Sequence, residues 1–126
     1  MIERYSRKEI KNIWEDYNRY SIWLDIELAA AEAMEKFKII PKGVVKKVKS
    51  KAKINPKRIL EIESKVKHDI IAFLTSITEQ AGIRARYLHQ GMTSSDVLDT
   101  SFNLQLAHSG KILVKDIDQI LSVLKK

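Results

Sequence analysis

The chain contains no cysteine, and its 126 residues include only two prolines and four glycines. The lack of cysteine excludes disulfide bonds and cysteine-ligated zinc sites, and it is typical of proteins of the reducing cytoplasm. No apolar run approaches the roughly 18 residues that span a bilayer, and the first four residues lack the basic and then apolar pattern of an export signal. We therefore expect a cytoplasmic protein with no membrane partner.

Because helix-breaking residues are scarce, long helices are possible, and apolar residues recur at intervals of three and four in almost every segment. Asn55-Pro56 predicts a helix N-cap followed by a first-turn proline, Asp69 predicts a second N-cap, and Gly82 predicts a helix end. The periodicity fails between Gly82 and Met92, which predicts a loop. The chain as a whole is predicted to be all-α.

Beyond Met92 the apolar pattern runs from Val97 to the last residues, with an interruption only near Ser109-Gly110. This pattern predicts that the chain ends inside a helix whose apolar stripe needs partners beyond these 126 residues. We expect either a piece of a larger subunit or an obligate oligomer.

The net charge of +7 is concentrated in one segment. Eight basic residues and no acid lie between Lys42 and Arg58, so the remaining residues carry 15 basic against 16 acidic groups. Val44, Val45 and Val48 indicate a short helix with one apolar edge, which makes the lysines a solvated face. No aromatic residue interrupts them for base stacking, so we expect no nucleic-acid partner, although a basic nucleic-acid binder stays an alternative.

A run rich in hydroxyl groups, HQGMTSSDVLDT at 89–100, leads into the last helical pattern. Free N–H groups and the positive end of the helix dipole attract anions at such a junction, and Thr93, Ser94 and Ser95 add hydroxyl donors. The alternative is that Thr93 and Asp96 form a capping box without any ligand.

The three histidines are the candidates for proton transfer. His68 and His89 lie at expected helix entrances, where the alternative is a capping or surface role, and His108 fits a helix surface. We expect no self-contained dyad of His68 with Asp69, because neighbouring helical residues point in different directions.

The motif HQGMTSSDVLDT, together with KHDIIAF at 67–73 and RYS at 4–6, resembles the adenylosuccinate lyase family of the fumarase/aspartase superfamily. The segments RILEIE at 58–63 and IWLDIELAAAEA at 22–33 also resemble this family, so the likeness covers the whole chain. It implies an amino-terminal helical domain at 1–92 and the beginning of a long helix of the central bundle at 93–126.

The resemblance implies a β-elimination that cleaves a C–N bond. Adenylosuccinate would yield AMP and fumarate, and a succinylated aminoimidazole carboxamide ribotide would react in parallel during purine biosynthesis. A base removes a proton beside a carboxylate, donors stabilise the resulting dianion, and an acid protonates the departing nitrogen. No metal or organic cofactor is implied.

The resemblance also assigns the first group of site residues. Arg4 and Tyr5 would hold the nucleotide phosphate, a task that suits the fixed charge and fork geometry of arginine. Lys67, His68 and Asp69 would line the substrate pocket, where His68 would act as the catalytic acid or assist one.

The second group lies in the hydroxyl-rich motif. His89 would orient the substrate, and Thr93 with Ser94 would bind a carboxylate or the adjacent nucleotide. The resemblance thus favours the anion-site interpretation of this motif.

Most of the family's subunit has no counterpart here, including the serine-rich loop with the presumed base and a later catalytic histidine. In such homotetramers three subunits contribute to each active site, so this chain alone is expected to be inactive. The alternative is a non-catalytic helical module that oligomerises or binds a nucleotide.

Overall fold

The computed structural model describes residues 3–125 and shows α-helices and 3-10 helices with no strand in that range. Met1, Ile2 and Lys126, which the expected domains include, lie outside it. No helix among the described residues is both long and apolar enough to cross a membrane. The α-helices are α1 (Lys8–Trp14), α2 (Asp16–Lys36), α3 (Val44–Lys51), α4 (Pro56–Val66), α5 (Asp69–Ala81) and α6 (Ser94–Leu124), and the 3-10 helices are Glu3–Tyr5 and Gly82–Tyr87.

Two predicted helix ends are confirmed. The Asn55 side chain accepts a hydrogen bond from the Arg58 backbone N–H at 3.2 Å, and Pro56 occupies the first position of α4. Gly82 ends α5 with a φ of +72°, a conformation that residues with a Cβ rarely adopt. Local chemistry is sufficient to place these two ends.

Three other expectations about element boundaries are wrong. The N-cap of α5 is His68, and Asp69 is the first helical residue. The segment 82–92 is not entirely loop, because Gly82–Tyr87 forms a 3-10 helix. The last helix passes through Ser109-Gly110 without a break, since one glycine in a helix costs only about 1 kcal/mol relative to alanine and the flanking turns outweigh that.

The core is built around three aromatic rings that join α2 to α5. Tyr20 and Phe73 stack with ring centres 6.2 Å apart, and Trp23 meets both rings edge-on at 5.0 and 5.5 Å. All three side chains are buried, as are the aliphatic residues packed with them: Leu28, Ala31, Ile40, Val44, Val48, Ile59, Ile62, Ile70, Ala72, Ile77, Ala81, Ala85, Leu88 and Val97.

α4 and α5 form an antiparallel hairpin. The chain reverses at Lys67, whose φ of +56° is left-handed. At the open end, the Arg58 guanidinium donates two hydrogen bonds to the Glu79 carboxylate, at 2.9 and 2.6 Å. The hairpin therefore has its turn, with His68 and Asp69, at one end and a bidentate ion pair at the other.

α6 is attached to α1 through side chains along its middle. Gln105 donates to the Ile13 carbonyl at 2.7 Å, and the Trp14 indole N–H donates to Ser109 Oγ at 3.0 Å. Arg7 forms an ion pair with Asp116 one to two turns further on. These contacts hold α6 against the rest of the molecule between Gln105 and Asp116.

The part of α6 from Leu113 onward presents apolar side chains to solvent. The helix has 31 residues, which is about 46 Å at about 1.5 Å per residue. Ile117 is 55% exposed, and other apolar side chains of this segment are also exposed: Leu113, Val114, Ile120, Leu121, Val123 and Leu124. The expectation of an apolar stripe without partners within the chain is confirmed for the described residues.

The basic segment adopts the predicted arrangement. Val44 and Val48 on α3 are fully buried, whereas the lysines of the same helix are exposed: Lys46, Lys47, Lys49 and Lys51. The lysines are a solvated face of an amphipathic helix.

Glu35 caps the start of α3, where the first turn contains no acid. Its carboxylate accepts hydrogen bonds from the backbone N–H groups of Val45 at 2.7 Å and Gly43 at 3.0 Å. These N–H groups hold the pKa of Glu35 below its ordinary value. A carboxylate of this kind stabilises the fold above its ordinary pKa, and that contribution is lost as the pH falls through the lowered value.

We expect Glu35→Gln to lower the free energy of unfolding at pH 7 by about 0.5 to 1 kcal/mol, as for other lost helix caps. The difference from wild type should shrink as the pH falls from the ordinary pKa of a glutamate through the lowered pKa of Glu35, where the carboxylate becomes protonated. Urea denaturation followed by circular dichroism measures both effects. Glu32→Gln, an exposed site on the same helix, is the control, and an equal loss in both variants would contradict the capping role.

Candidate active site

Lys67, His68 and Asp69 occupy the turn between α4 and α5, where all three remain accessible. His68 has extended backbone geometry, and its Nδ1 accepts the Ile71 N–H at 3.4 Å. Asp69 Oδ1 accepts the Ile70 N–H at 2.7 Å. The turn thus presents an ammonium, an imidazole and a carboxylate on consecutive residues.

His68 Nδ1 lies 3.5 Å from Asp69 Oδ1, closer than two neighbouring helical residues would bring their side chains. The geometric expectation was wrong because His68 is an N-cap and not a helical residue. Both atoms accept hydrogen bonds from backbone N–H groups, so no proton lies between them when the ring is neutral. The absence of a self-contained dyad stays a prediction.

Asp69 also lines a cleft of about 330 Å³ between α1, α2 and α6. Trp14, Trp23 and Phe102 provide its aromatic walls, and Trp14 meets Phe102 edge-on at 5.9 Å. Its other lining side chains are Arg19, Leu98, Asp99, Ser101 and Gln105.

Two polar atoms among these cleft residues are buried without a hydrogen-bond partner in the described part of the chain. They are Arg19 Nε and Ser101 Oγ. An N–H and a hydroxyl left in this state are groups that a ligand or an ordered water would satisfy.

His89 is held by a residue that the sequence-based reasoning did not single out. The buried carboxylate of Glu27 accepts the His89 backbone N–H at 2.7 Å and lies 2.6 Å from the ring Nδ1. The signal was the position of Glu27 within the apolar stripe of α2, four residues after Trp23 and four before Ala31. An acid on the buried face of a helix requires a specific partner.

The start of α6 forms the predicted capping box. The Thr93 backbone N–H donates to Asp96 Oδ2 at 2.8 Å. One N–H of the junction is therefore bonded within the chain and is unavailable to an anion, whereas Ser94 is half-buried and Ser95 is exposed. The capping box is confirmed, and an anion bound by Thr93 and Ser94 stays a prediction.

Arg4 and Tyr5 lie in the 3-10 helix at Glu3–Tyr5, and the Arg4 guanidinium carbon is 4.8 Å from the centre of the Tyr5 ring. Tyr5 is 75% exposed. Within residues 3–125, no hydrogen bond or ion pair joins either side chain to the other candidate residues.

Two of the remaining candidates, Asp69 and His89, are linked to α2. Arg19 and Trp23 line the cleft with Asp69, and Glu27, one helical turn or about 6 Å further on, binds His89. No group of three or more histidine and acidic side chains in the described range is arranged to hold a metal ion. The side chains linked to α2 thus provide an imidazole, carboxylates and hydrogen-bond donors.

Comparison with known proteins first shows the class of fold to which the chain is similar. The fold is that of the corresponding part of a fumarate lyase, since the crystal structure of fumarate lyase from Mesorhizobium sp. BNC1 matches 90% of this chain and 27% of its own, with a TM-score of 0.80 and 21% sequence identity. The predicted all-α fold of this superfamily is confirmed.

The sequence is also similar to that of one particular lyase. The chain is 44% identical over 125 residues to adenylosuccinate lyase of Synechocystis sp. (strain ATCC 27184 / PCC 6803 / Kazusa), a match that covers 99% of this chain and 29% of the relative. The resemblance to the amino-terminal portion of adenylosuccinate lyase is thereby confirmed. The chain spans less than a third of the length of this relative, and no family model matches it.

We expect Asp96→Ala to lower the free energy of unfolding by about 1 kcal/mol, because the Thr93 N–H loses its acceptor. Chemical denaturation at neutral pH measures the change. Asp118→Ala removes an exposed acid further along α6 and should change stability by less than about 0.5 kcal/mol. A capping role would be refuted if the two variants were equally stable.

Proposed function

We propose that this chain is the amino-terminal part of an adenylosuccinate lyase that acts in purine biosynthesis. The intact subunit would eliminate fumarate from adenylosuccinate to give AMP, and from the succinylated aminoimidazole carboxamide ribotide. The observation that carries this proposal is the 44% identity to an adenylosuccinate lyase over 99% of the chain. In this assignment residues 1–92 form the amino-terminal helical domain and residues 93–126 begin the central bundle.

The turn at Lys67, His68 and Asp69 would contribute to the acid side of the reaction. His68 is the proposed catalytic residue, either as the acid that protonates the departing nitrogen or as a helper of that acid. Its Nδ1 faces the Ile71 N–H, so Nε2 is the nitrogen left to meet the substrate. The Lys67 ammonium and the cleft beside Asp69 would bind polar groups of the same molecule.

Anionic groups of the substrate would bind at two places. The exposed Arg4 guanidinium, with Tyr5 beside it, would hold the nucleotide phosphate. Thr93 and Ser94 at the start of α6 would hold a carboxylate or the adjacent nucleotide, where the helix dipole favours negative charge. His89 would orient the substrate between these groups.

Association of subunits would complete the site. The exposed apolar side chains at the end of α6 require a partner surface, and the expected homotetramer would supply it together with the base that this chain lacks. We propose that the enzyme works in the cytoplasm, without a metal or organic cofactor and without a nucleic-acid or membrane partner, and that the 126 residues alone are inactive.

The intact subunit should release fumarate from adenylosuccinate, and His68→Ala should lower kcat/KM by about 10²- to 10⁴-fold, the usual range for a lost acid or base. Ultraviolet absorbance of the reaction measures turnover. His108→Ala, on the exposed face of α6, is the matched control. Normal turnover in His68→Ala would exclude the proposed role, and binding of AMP without any fumarate release by wild type would favour the non-catalytic nucleotide-binding module.

A charge on the apolar face of α6 should prevent assembly. In Ile117→Glu of the intact subunit we expect a smaller oligomer and at least about a tenfold loss of turnover, because a buried unpaired carboxylate is strongly unfavourable at an interface. Light scattering during size-exclusion chromatography measures the mass. Gln119→Glu adds the same charge two residues away on another side of the helix, so an identical loss of assembly there would argue against the apolar face.

A further inference from the structure

We propose that Glu27 is a positioning residue for His89, which holds the imidazole by Nδ1 and presents Nε2 to a hydrogen-bond donor of the substrate. This inference rests on the proposed function, in which His89 orients the substrate. Glu27 lies near the middle of α2 and His89 precedes α6, so the contact joins two elements that lie 62 residues apart in sequence.

Because the Glu27 carboxylate is buried, its contact with His89 is specific. Glu27 is 1% exposed, and a carboxylate removed from water is strongly unfavourable unless it is hydrogen-bonded. Both hydrogen bonds that the structure shows for this carboxylate come from one residue, with the backbone N–H of His89 at 2.7 Å from Oε2 and the ring Nδ1 at 2.6 Å from Oε1. Glu27 is therefore dedicated to His89.

The two bonds have different consequences. His89 has a φ of +60°, an uncommon conformation for a residue with a side chain, and the bond to its backbone N–H stabilises this conformation. A role in the fold alone would need only that bond. The second oxygen fixes the orientation of the ring, which remains 20% exposed.

The carboxylate also selects the tautomer. An ionised carboxylate only accepts hydrogen bonds, so Nδ1 carries the proton of the neutral ring and Nε2 carries the lone pair. Nε2 makes no hydrogen bond in the described part of the chain. The group that it takes from the substrate is therefore an N–H or an O–H.

The place of His89 suits this task. It lies four residues before Thr93, at which the capping box of α6 begins, and its partner Glu27 is one turn along α2 from Trp23 in the wall of the cleft that Asp69 lines. His89 is thus near Thr93 in sequence and is bonded to the helix that supplies part of the cleft wall.

The test is a double-mutant cycle on fumarate release by the intact subunit. In Glu27→Gln, the amide oxygen can still accept the backbone N–H, but the NH₂ group faces Nδ1 and favours the opposite tautomer. We expect kcat/KM to fall about 10- to 100-fold, the effect of losing a hydrogen bond to a charged group. In a His89→Asn background the same substitution should cause no further loss, which a purely structural role would not produce.

The control is Glu35→Gln, another α2 carboxylate that accepts two backbone N–H groups but has no histidine partner, and its turnover should equal that of wild type. Normal turnover in Glu27→Gln overturns the positioning role. The same fold-decrease in kcat/KM in the wild-type and His89→Asn backgrounds also overturns it. If Glu27→Gln does not fold, Glu27→Asp, which keeps the charge but shortens its reach, is compared in the same two backgrounds with the same criteria. A wild-type subunit that releases no fumarate overturns the proposed function and this inference with it. When the wild type is active, a negative result for the Glu27 variants overturns only the positioning role.

Discussion

The packing of α2 is the constraint on which the rest of the structure depends. α1, α3, α4 and α6 all contact this helix, and its Tyr20 and Trp23 join α5 through the ring of Phe73. The same helix carries the acid that holds His89 and the arginine beside the cleft. Because core and candidate site share one rigid element, displacement of α2 would misplace both together.

Much of the fold could be predicted from the sequence because helices and their caps are local. The N-cap at Asn55 and the end at Gly82 depend on residues within one turn. His68 and Asp69 are both polar, however, and which of them caps the helix depends on the backbone conformation, which is extended at His68 and helical from Asp69. The course of α6 through Gly110 likewise depends on contacts of Trp14 and Gln105 with distant residues, which no local pattern contains.

The candidate site was predictable in part for the same reason. Motifs single out individual residues such as His68, His89 and Thr93. The structure places His68 and Thr93 at helix N-caps, but His89 lies in a turn four residues before Thr93 and not at a helix entrance as expected. Motifs do not reveal pairings across the fold, so the bond between Glu27 and His89 was missed. The lack of a hydrogen bond from Arg4 to the other candidates within residues 3–125 has a related cause, since this chain provides only some walls of the site that we propose.

In the assembly that we propose, the exposed end of α6 would make the stability of the protein dependent on its concentration. Apolar side chains that face water in a single copy would be buried when a second copy covers them, so mass action would contribute to folding. Dilution would expose the apolar side chains of each copy again and leave this helix open to aggregation and to proteases. The amount of protein in solution would then determine how long this helix remains intact.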